Sequence, residues 1–172
     1  NNLCSQEGAV YLEVGVFAGA TFCAAVQNND MVAAYANDNW SQPNLQPARE
    51  DLELTLENVT VDTFVKNLQE NVTTETLDFD IQVLNGDSSG LGKKDFKHNV
   101  NIIFYDGDNS EGKMREFFLN MIDFTEDVFT LVIDDANIEQ NIAITKRFID
   151  GMGLKVLFER ELLNDQEDID MW

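Results

Sequence analysis

The 172-residue chain contains few of the residues that define several other protein classes. It has two Pro, two Cys and a single His, His98. Cys4 and Cys23 form neither a disulfide framework nor the paired spacing of a zinc site. No apolar run approaches the roughly 20 residues that span a bilayer. We therefore predict a protein without a disulfide framework, a structural zinc ion or a membrane span.

Positive charge is also scarce. The chain has 11 Lys and Arg against 32 Asp and Glu, for a formal net charge of −21. Such a surface repels nucleic-acid phosphates and anionic lipid headgroups. We therefore expect no nucleic-acid or membrane partner and favour a small-molecule ligand. With no signal-peptide pattern in the sequence, we predict a cytoplasmic location.

The chain nevertheless has ample material for a core. Hydrophobic residues make up 44% of it and include 12 Phe. Disorder requires low hydrophobicity together with high charge, and only the second holds here. The length fits one domain, so we predict a single domain over residues 1–172.

Strand and helix patterns alternate along the chain. Helical apolar spacing is clearest in one predicted stripe: Met114, Phe117, Phe118, Met121 and Ile122. Alternation of this kind indicates a parallel sheet covered by helices on both faces, a Rossmann-like three-layer αβα sandwich. The predicted strands cover residues 10–16, 31–36, 79–83, 100–105, 128–133 and 154–162. The predicted helices start near residues 20, 47, 61, 110 and 138, and the last has an apolar stripe of Ile138, Ile142, Thr145, Phe148 and Ile149.

Acidic residues follow four of the predicted strands. Because the strands are parallel, their carboxyl ends meet at one edge of the sheet, where ligands bind in open α/β folds. We therefore expect the acidic residues to line one rim. They are Asp38, Asp87, Asp106 with Asp108, and Asp134 with Asp135.

A glycine loop follows the first predicted strand and leads into a helix. Its sequence is Glu13-Val14-Gly15-Val16-Phe17-Ala18-Gly19. Glycine lets a backbone turn sharply and approach a ligand closely, so we expect a branched side chain at Gly15 to occupy ligand space and leave the fold intact. Phe17 and Ala20 break the Gly-x-Gly-x-x-Gly pattern of dinucleotide binding.

These segments together resemble class I S-adenosylmethionine-dependent methyltransferases. Residues 11–19 resemble the first motif of that family, and residues 37–40 and 85–88 resemble the ends of its second and third strands. Residues 104–112 resemble a fourth-strand motif of the form Asp-Gly-x-His-Ser-Tyr, with Asn109 in place of His. The family fold ends in an antiparallel strand, which Asp170-Met171-Trp172 would only begin. The resemblance thus implies that this strand is missing and that the domain is truncated at its C-terminus. The open edge left behind allows a homodimer.

The resemblance also implies roles for the residues at the rim. The glycine loop would face the methionine part of S-adenosylmethionine, Asp38 the ribose hydroxyls, and Asp87 the adenine. The cofactor-binding set would be Glu13, Gly15, Val16, Phe17, Gly19, Asp38, Asn39, Asp87, Ser88 and Asp106.

A further similarity concerns metal-dependent sugar O-methyltransferases. The pattern Asp106-Gly107-Asp108 followed by Asp134-Asp135 is similar to theirs. It implies Mg²⁺ bound by Asp106, Asp134 and Asp135, with Asp108 as general base. The implied reaction is O-methylation of a small hydroxylated acceptor such as a sugar. Two alternatives remain open: a non-catalytic or truncated module of the same fold, and an NAD-dependent oxidoreductase.

Overall fold

The computed structural model describes residues 3–41, 59–72 and 78–162. Within these ranges there are five strands, and an α-helix follows each of them except the third. No helix in this part of the chain combines the length and apolar character needed to cross a membrane. The elements are β1 (Val10–Val14), α1 (Ala20–Val26), β2 (Ala33–Asp38), α2 (Val61–Asn71), β3 (Asp80–Asn85), β4 (Val100–Tyr105), α3 (Glu111–Met121), β5 (Thr125–Ile133) and α4 (Glu139–Gly151).

All five strands are parallel and form one sheet in the order β3-β2-β1-β4-β5. The chain runs outward from β1 through β2 to β3, then returns to the other side of β1 for β4 and β5. The strand order therefore reverses between β1 and β4, and in open α/β sheets this point forms a crevice at the carboxyl edge. The predicted Rossmann-like α/β fold is confirmed.

The central strand β1 is buried along its whole length. Successive side chains of a strand point to opposite faces, so β1 contributes to two cores. Leu12 and Val14 belong to the core under α3 and α4, whereas Tyr11 packs with Phe22 and Phe64 under α1 and α2. These two cores are the interfaces of a three-layer αβα arrangement.

Helix α3 confirms the predicted apolar stripe up to Met121, whereas Ile122 is the C-cap residue and is only half-buried. Met114, Phe117, Phe118 and Met121 are all inaccessible to solvent. Burying each such side chain stabilises the fold by about 1.5–3 kcal/mol. The ring of Tyr105 lies 5.0 Å from that of Phe117, so α3 is anchored directly over the end of β4.

The predicted sixth strand is wrong. Residues 154–162 have apolar residues at strand-like spacing, but the structure shows no strand there, and Phe158 is 80% exposed. Strand periodicity yields a strand only where a neighbour supplies hydrogen-bonding partners, and within the described ranges β5 pairs with β4 alone. The homodimer that an open edge of the sheet would allow stays a prediction.

The predicted stripe of the last helix is confirmed only in part: Phe148 is buried and Ile149 packs against the core, but Ile142 and Thr145 are only half-buried. Helix α4 buries Asn141, Ile144 and Phe148, while Ile138 is exposed at its start. The helix rests on its neighbour α3, with the rings of Phe118 and Phe148 4.9 Å apart, and this contact determines the buried side. The helix predicted near Pro47 and the incipient strand at residues 170–172 lie outside the described residues.

Candidate functional site

The glycine loop begins in close contact with the end of β4. Gly15 has a left-handed backbone with φ of 87°. A Cβ built on it would lie 2.0 Å from the carbonyl oxygen of Asp106 and 2.6 Å from its carbonyl carbon. Glycine at this position is therefore required by the packing of the two strand ends. This corrects the expectation that a side chain at Gly15 would meet only ligand.

The middle of the loop is bound to the end of β2. The backbone N–H of Phe17, whose φ is 48°, donates to Oδ2 of Asp38 over 2.8 Å. The N–H of Trp40 donates to Oδ1 of Asp38, also over 2.8 Å, and the Trp40 indole N–H donates to the Phe17 carbonyl over 3.0 Å. Both carboxylate oxygens of Asp38 are thus engaged, and each retains a lone pair for a further donor.

Helix α2 supports the end of the loop. Gly19 is the N-cap of α1 with φ of 91°, and a Cβ on it would lie 2.7 Å from the ring of Phe64. The side-chain amide of Asn67 donates to the Ala18 carbonyl over 2.9 Å. The two loop glycines therefore permit two packing contacts, one with β4 and one with α2.

Glu13 lies beneath the loop and is fully buried. Its carboxylate accepts hydrogen bonds from the hydroxyls of Tyr11, over 2.6 Å, and Thr21, over 2.5 Å. Burial raises the pKa of Glu13, and these two hydrogen bonds oppose that shift. The carboxylate thus contacts side chains of β1 and α1, so Glu13 supports the loop from below.

Asn37 is a site residue that the sequence did not reveal. It is 1% exposed, and its side-chain amide donates to the carbonyls of Leu84 and Gly86 over 2.8 and 3.0 Å. Its own carbonyl accepts the N–H of Gly15 over 2.8 Å. One residue near the end of β2 therefore links the start of the glycine loop to the end of β3 and the loop that follows it. The only sequence signal was its position beside Asp38, while Asn39, on the other side, is exposed.

The loop after β3 carries Asp87 and the buried Ser88. Asp87 is the N-cap of a short 3-10 turn, Ser88–Gly90, and its Oδ1 accepts the N–H of Ser89 over 3.0 Å. Its Oδ2 accepts a hydrogen bond from Nζ of Lys113 over 2.7 Å. The bond from Lys113, followed by that from the Ser89 hydroxyl, lowers the pKa of Asp87 to about 2. Asp87 is therefore a fixed negative charge at this rim.

Asp106 occupies the centre of the acidic rim. The residue is exposed overall, yet partial desolvation of its carboxyl group and the negative charges of Asp134 and Asp135 raise its pKa to about 7. Glu13 and Asp38 contribute smaller repulsions of the same sign. The carboxyl group therefore releases its proton at a much higher pH than an ordinary aspartate does.

The other rim carboxylates have local partners. Oδ1 of Asp108 accepts the N–H of Ser110 over 2.8 Å at the start of α3. Oδ1 of Asp134 accepts the N–H of Asp135, and Oδ2 of Asp135 accepts the Asn109 amide, both over 2.9 Å. Ser110 is the N-cap residue of α3, but its side chain makes no capping hydrogen bond.

The predicted metal ligands do not form a metal centre. No group of three or more His, Cys, Asp and Glu side chains in residues 3–41, 59–72 and 78–162 is arranged to hold an ion. The carboxylates of Asp134 and Asp135 accept hydrogen bonds from nearby protein groups, and Asp135 adopts a left-handed backbone with φ of 52°. This arrangement of Asp106, Asp134 and Asp135 does not support a Mg²⁺ site.

Comparisons with known proteins address the fold. No family model matches the sequence, and no curated protein does. Among solved structures, precorrin 8w decarboxylase from Methanobacterium thermoautotrophicum is similar with a TM-score of 0.56 and 14% identity, over 89% of this chain and 68% of that one. An rRNA methylase from Streptococcus thermophilus is similar with a TM-score of 0.53 and 10% identity, over 89% and 74%.

A third similar structure is YjhP from E. coli, with a TM-score of 0.51 and 11% identity. The match covers 77% of this chain but only 44% of the YjhP chain. At these identities the likeness shows the fold alone. The chain therefore has an α/β Rossmann-like fold that is also found in a methylase.

Proposed function

We propose that this chain binds S-adenosylmethionine in the crevice between the carboxyl ends of β1 and β4, where the strand order reverses. It transfers the methyl group of this cofactor to a small hydroxylated acceptor, such as a sugar. The observation that carries the proposal is the bond from the Phe17 N–H to Asp38, which joins the glycine loop to the end of β2. This bond places the Asp38 carboxylate beside the backbone of the glycine loop, at the carboxyl edge of the parallel sheet. Open α/β sheets bind nucleotide cofactors at this edge, and S-adenosylmethionine has a ribose for the carboxylate and a methionine chain for the loop.

Each part of the rim has a proposed role in binding. The free lone pairs of Asp38 accept the ribose hydroxyls, with Asn39 beside them. The adenine lies near Asp87 and Ser88, and the backbone of Val16, Phe17 and Gly19 follows the methionine part. The acidic rim around Asp106 attracts the positive sulfonium centre.

The acceptor is proposed to bind on the β4 side of the crevice. The cofactor supplies an activated methyl group, and the protein orients the acceptor and excludes water. Asp108 is the proposed general base: Oδ1 accepts the N–H of Ser110 just before α3, and Oδ2 takes the proton from the acceptor hydroxyl. Asp106, with its pKa of about 7, lies two residues from Asp108, and its ionised form adds to the negative charge around the proposed acceptor site.

Calorimetric titration with S-adenosylhomocysteine tests the cofactor, with NAD as the competing ligand. We expect saturable binding of the first and none of the second. Binding of NAD alone would replace the proposal with the oxidoreductase alternative. Repeating the titration with Mg²⁺ tests the metal separately, and we expect the same affinity.

Turnover separates an enzyme from a binding module. Wild-type protein and Asp108→Asn are incubated with methyl-labelled S-adenosylmethionine and a panel of hydroxylated acceptors. We expect transfer by the wild type and at least a hundredfold less by the variant, as is usual when a general base is lost. Binding without transfer to any acceptor would favour the non-catalytic module.

A further inference from the structure

Helix α3 holds the loop after β3 at two points. Nζ of Lys113 lies 2.7 Å from Oδ2 of Asp87 and 3.2 Å from Oγ of Ser89. The side-chain amide of Asn120 donates to the Ser89 carbonyl over 2.7 Å. Lys113 and Asn120 are two helical turns apart and so share one side of α3. The loop after β3 is therefore fastened to α3, the helix that follows β4, although β2 and β1 separate β3 from β4 in the sheet.

The ion pair between Lys113 and Asp87 is the least solvent-exposed of four in the described parts of the chain. Its side chains are 41% and 44% exposed, against 69% and 78% for the pair of Lys97 and Asp80. The remaining two pairs have exposures from 59% to 71%. Reduced exposure strengthens an ion pair because water screens it less. The ion pair of Lys113 and Asp87 therefore holds its two side chains in place more firmly than the other three pairs hold theirs.

The two oxygens of Asp87 have separate partners. Oδ1 accepts both the N–H and the hydroxyl of Ser89, which shapes the turn Ser88–Gly90. Oδ2 is held by Lys113. Lys113 therefore fixes the rotation of the Asp87 side chain, and through Oδ1 it also fixes the backbone of the turn.

We propose that Lys113 is a positioning residue that holds Asp87 and the turn Ser88–Gly90 in the conformation that receives the adenosine half of the cofactor. This inference rests on the proposed function. The inference goes beyond the proposed function because it assigns part of the affinity for adenosine to Lys113, a side chain on α3 that acts through Asp87. Without Lys113, Oδ2 of Asp87 loses its ammonium partner, and the turn keeps only the Asn120 anchor on α3.

The test measures calorimetric affinities for two probes, S-adenosylhomocysteine and adenosine. Lys113→Met should weaken both by the same factor, roughly tenfold, as expected for a lost hydrogen bond to a charged group. Lys113→Arg, which keeps the charge and the donors, should restore most of the affinity. The matched control is Lys97→Met, which breaks the ion pair with Asp80 at the opposite end of β3, and its affinities should stay within twofold of the wild type.

A double-mutant cycle with Asp87→Asn shows whether Lys113 acts through Asp87. We expect the double variant to bind no more weakly than the weaker single variant, because both changes break the same contact. Additive losses, an unchanged affinity in Lys113→Met, or a loss for S-adenosylhomocysteine without one for adenosine would each overturn the inference. If Lys113→Met lacks native circular dichroism, Lys113→Gln takes its place in the same cycle. Absence of binding by the wild type would instead overturn the proposed function.

Discussion

Gly15 and Asp106 touch backbone to backbone where the strand order of the sheet reverses. A methyl group on the α-carbon of Gly15 would lie 2.0 Å from the carbonyl oxygen of Asp106. The N–H of Asp106 also donates to the carbonyl of Val14 over 2.8 Å, so the two strand ends stay paired up to the point of contact. The glycine therefore determines how closely β1 and β4 approach at the crevice.

Gly15→Ala should destabilise the fold severely. The new methyl group meets backbone that cannot move without breaking the β1–β4 pairing, and alanine is also strained at φ of 87°. The matched control is Gly8→Ala, at φ of 77° with nothing within 4 Å of the added carbon. The control isolates the conformational cost, about 1–2 kcal/mol. We expect Gly15→Ala to lose a further 1–3 kcal/mol or more in urea unfolding. Equal losses would show that the contact with Asp106 is unimportant.

The sequence predicted the architecture because its periodicities are local. The stripe of α3 and the limits of β4 follow from side chains a few residues apart, and the structure confirms both. The segment 154–162 has the same kind of pattern but no described strand beside it, so the pattern alone misled. Local patterns report what a segment is able to form, whereas its partners decide what it does form.

The site was predictable only in part, for a related reason. Glycine at 15 and an acid at 38 were recognisable, but their structural partners are 91 and 21 residues away, at Asp106 and Phe17. Asn37 was missed because its contacts with Leu84 and Gly86 depend on the pairing of β2 with β3. Contacts of this range are set by topology, which no spacing within a motif encodes.

Asp38→Asn should loosen the glycine loop and weaken cofactor binding. Each carboxylate oxygen accepts a backbone N–H, from Phe17 and from Trp40. An amide keeps one acceptor and turns an NH₂ group towards the other N–H, which costs about 1–3 kcal/mol. Thermal melting should show the loss, and calorimetry should show at least tenfold weaker binding of S-adenosylhomocysteine.

The control for this change is Asp30→Asn, which removes the same charge at an exposed residue. We expect its melting temperature and its affinity to match the wild type. Were Asp38→Asn to behave like this control, the carboxylate would neither hold the loop nor face the cofactor.

The stability of the protein should fall with rising pH through the titration of Asp106. Its pKa is about 7 in the native state, against an ordinary value of 3.8. The native state thus retains a proton that the unfolded state has already released. The cost of removing that proton grows from about pH 4 and is complete above pH 7. Asp106→Asn should therefore gain stability over the wild type, by more at pH 8 than at pH 5.

The gain at pH 8 should be on the order of 1 kcal/mol, because Asp106 is exposed and solvent screens its neighbours. Urea unfolding at the two pH values measures it, with Asp30→Asn as the charge-matched control. A gap between wild type and Asp106→Asn that stays constant with pH would show that neither desolvation nor the charges of Asp134 and Asp135 raise the pKa of this carboxyl group.

Removing either hydroxyl that donates to Glu13 should have an effect that grows with pH. Burial raises the pKa of Glu13, and the hydroxyls of Thr21 and Tyr11 favour its ionised form. Tyr11→Phe and Thr21→Val each remove one donor, so each raises the native pKa further. A raised carboxyl pKa costs stability as the pH increases, because the native state must give up a proton that the unfolded state no longer holds. Each variant should therefore lose about 1–3 kcal/mol at pH 8 and less at pH 5.5.

Glu13→Gln separates this electrostatic cost from packing. An amide is neutral at every pH and still accepts one hydroxyl, so the stability of Glu13→Gln should change less between pH 5.5 and pH 8 than that of Tyr11→Phe. Urea unfolding of the variants at both pH values makes the comparison. If Tyr11→Phe and Thr21→Val show the same loss at both pH values, the hydroxyls contribute only packing. If the loss grows with pH, Glu13 is ionised at pH 8 beneath the glycine loop, where the hydroxyl of Tyr11 holds it within β1 and the hydroxyl of Thr21 ties β1 to α1 across that loop.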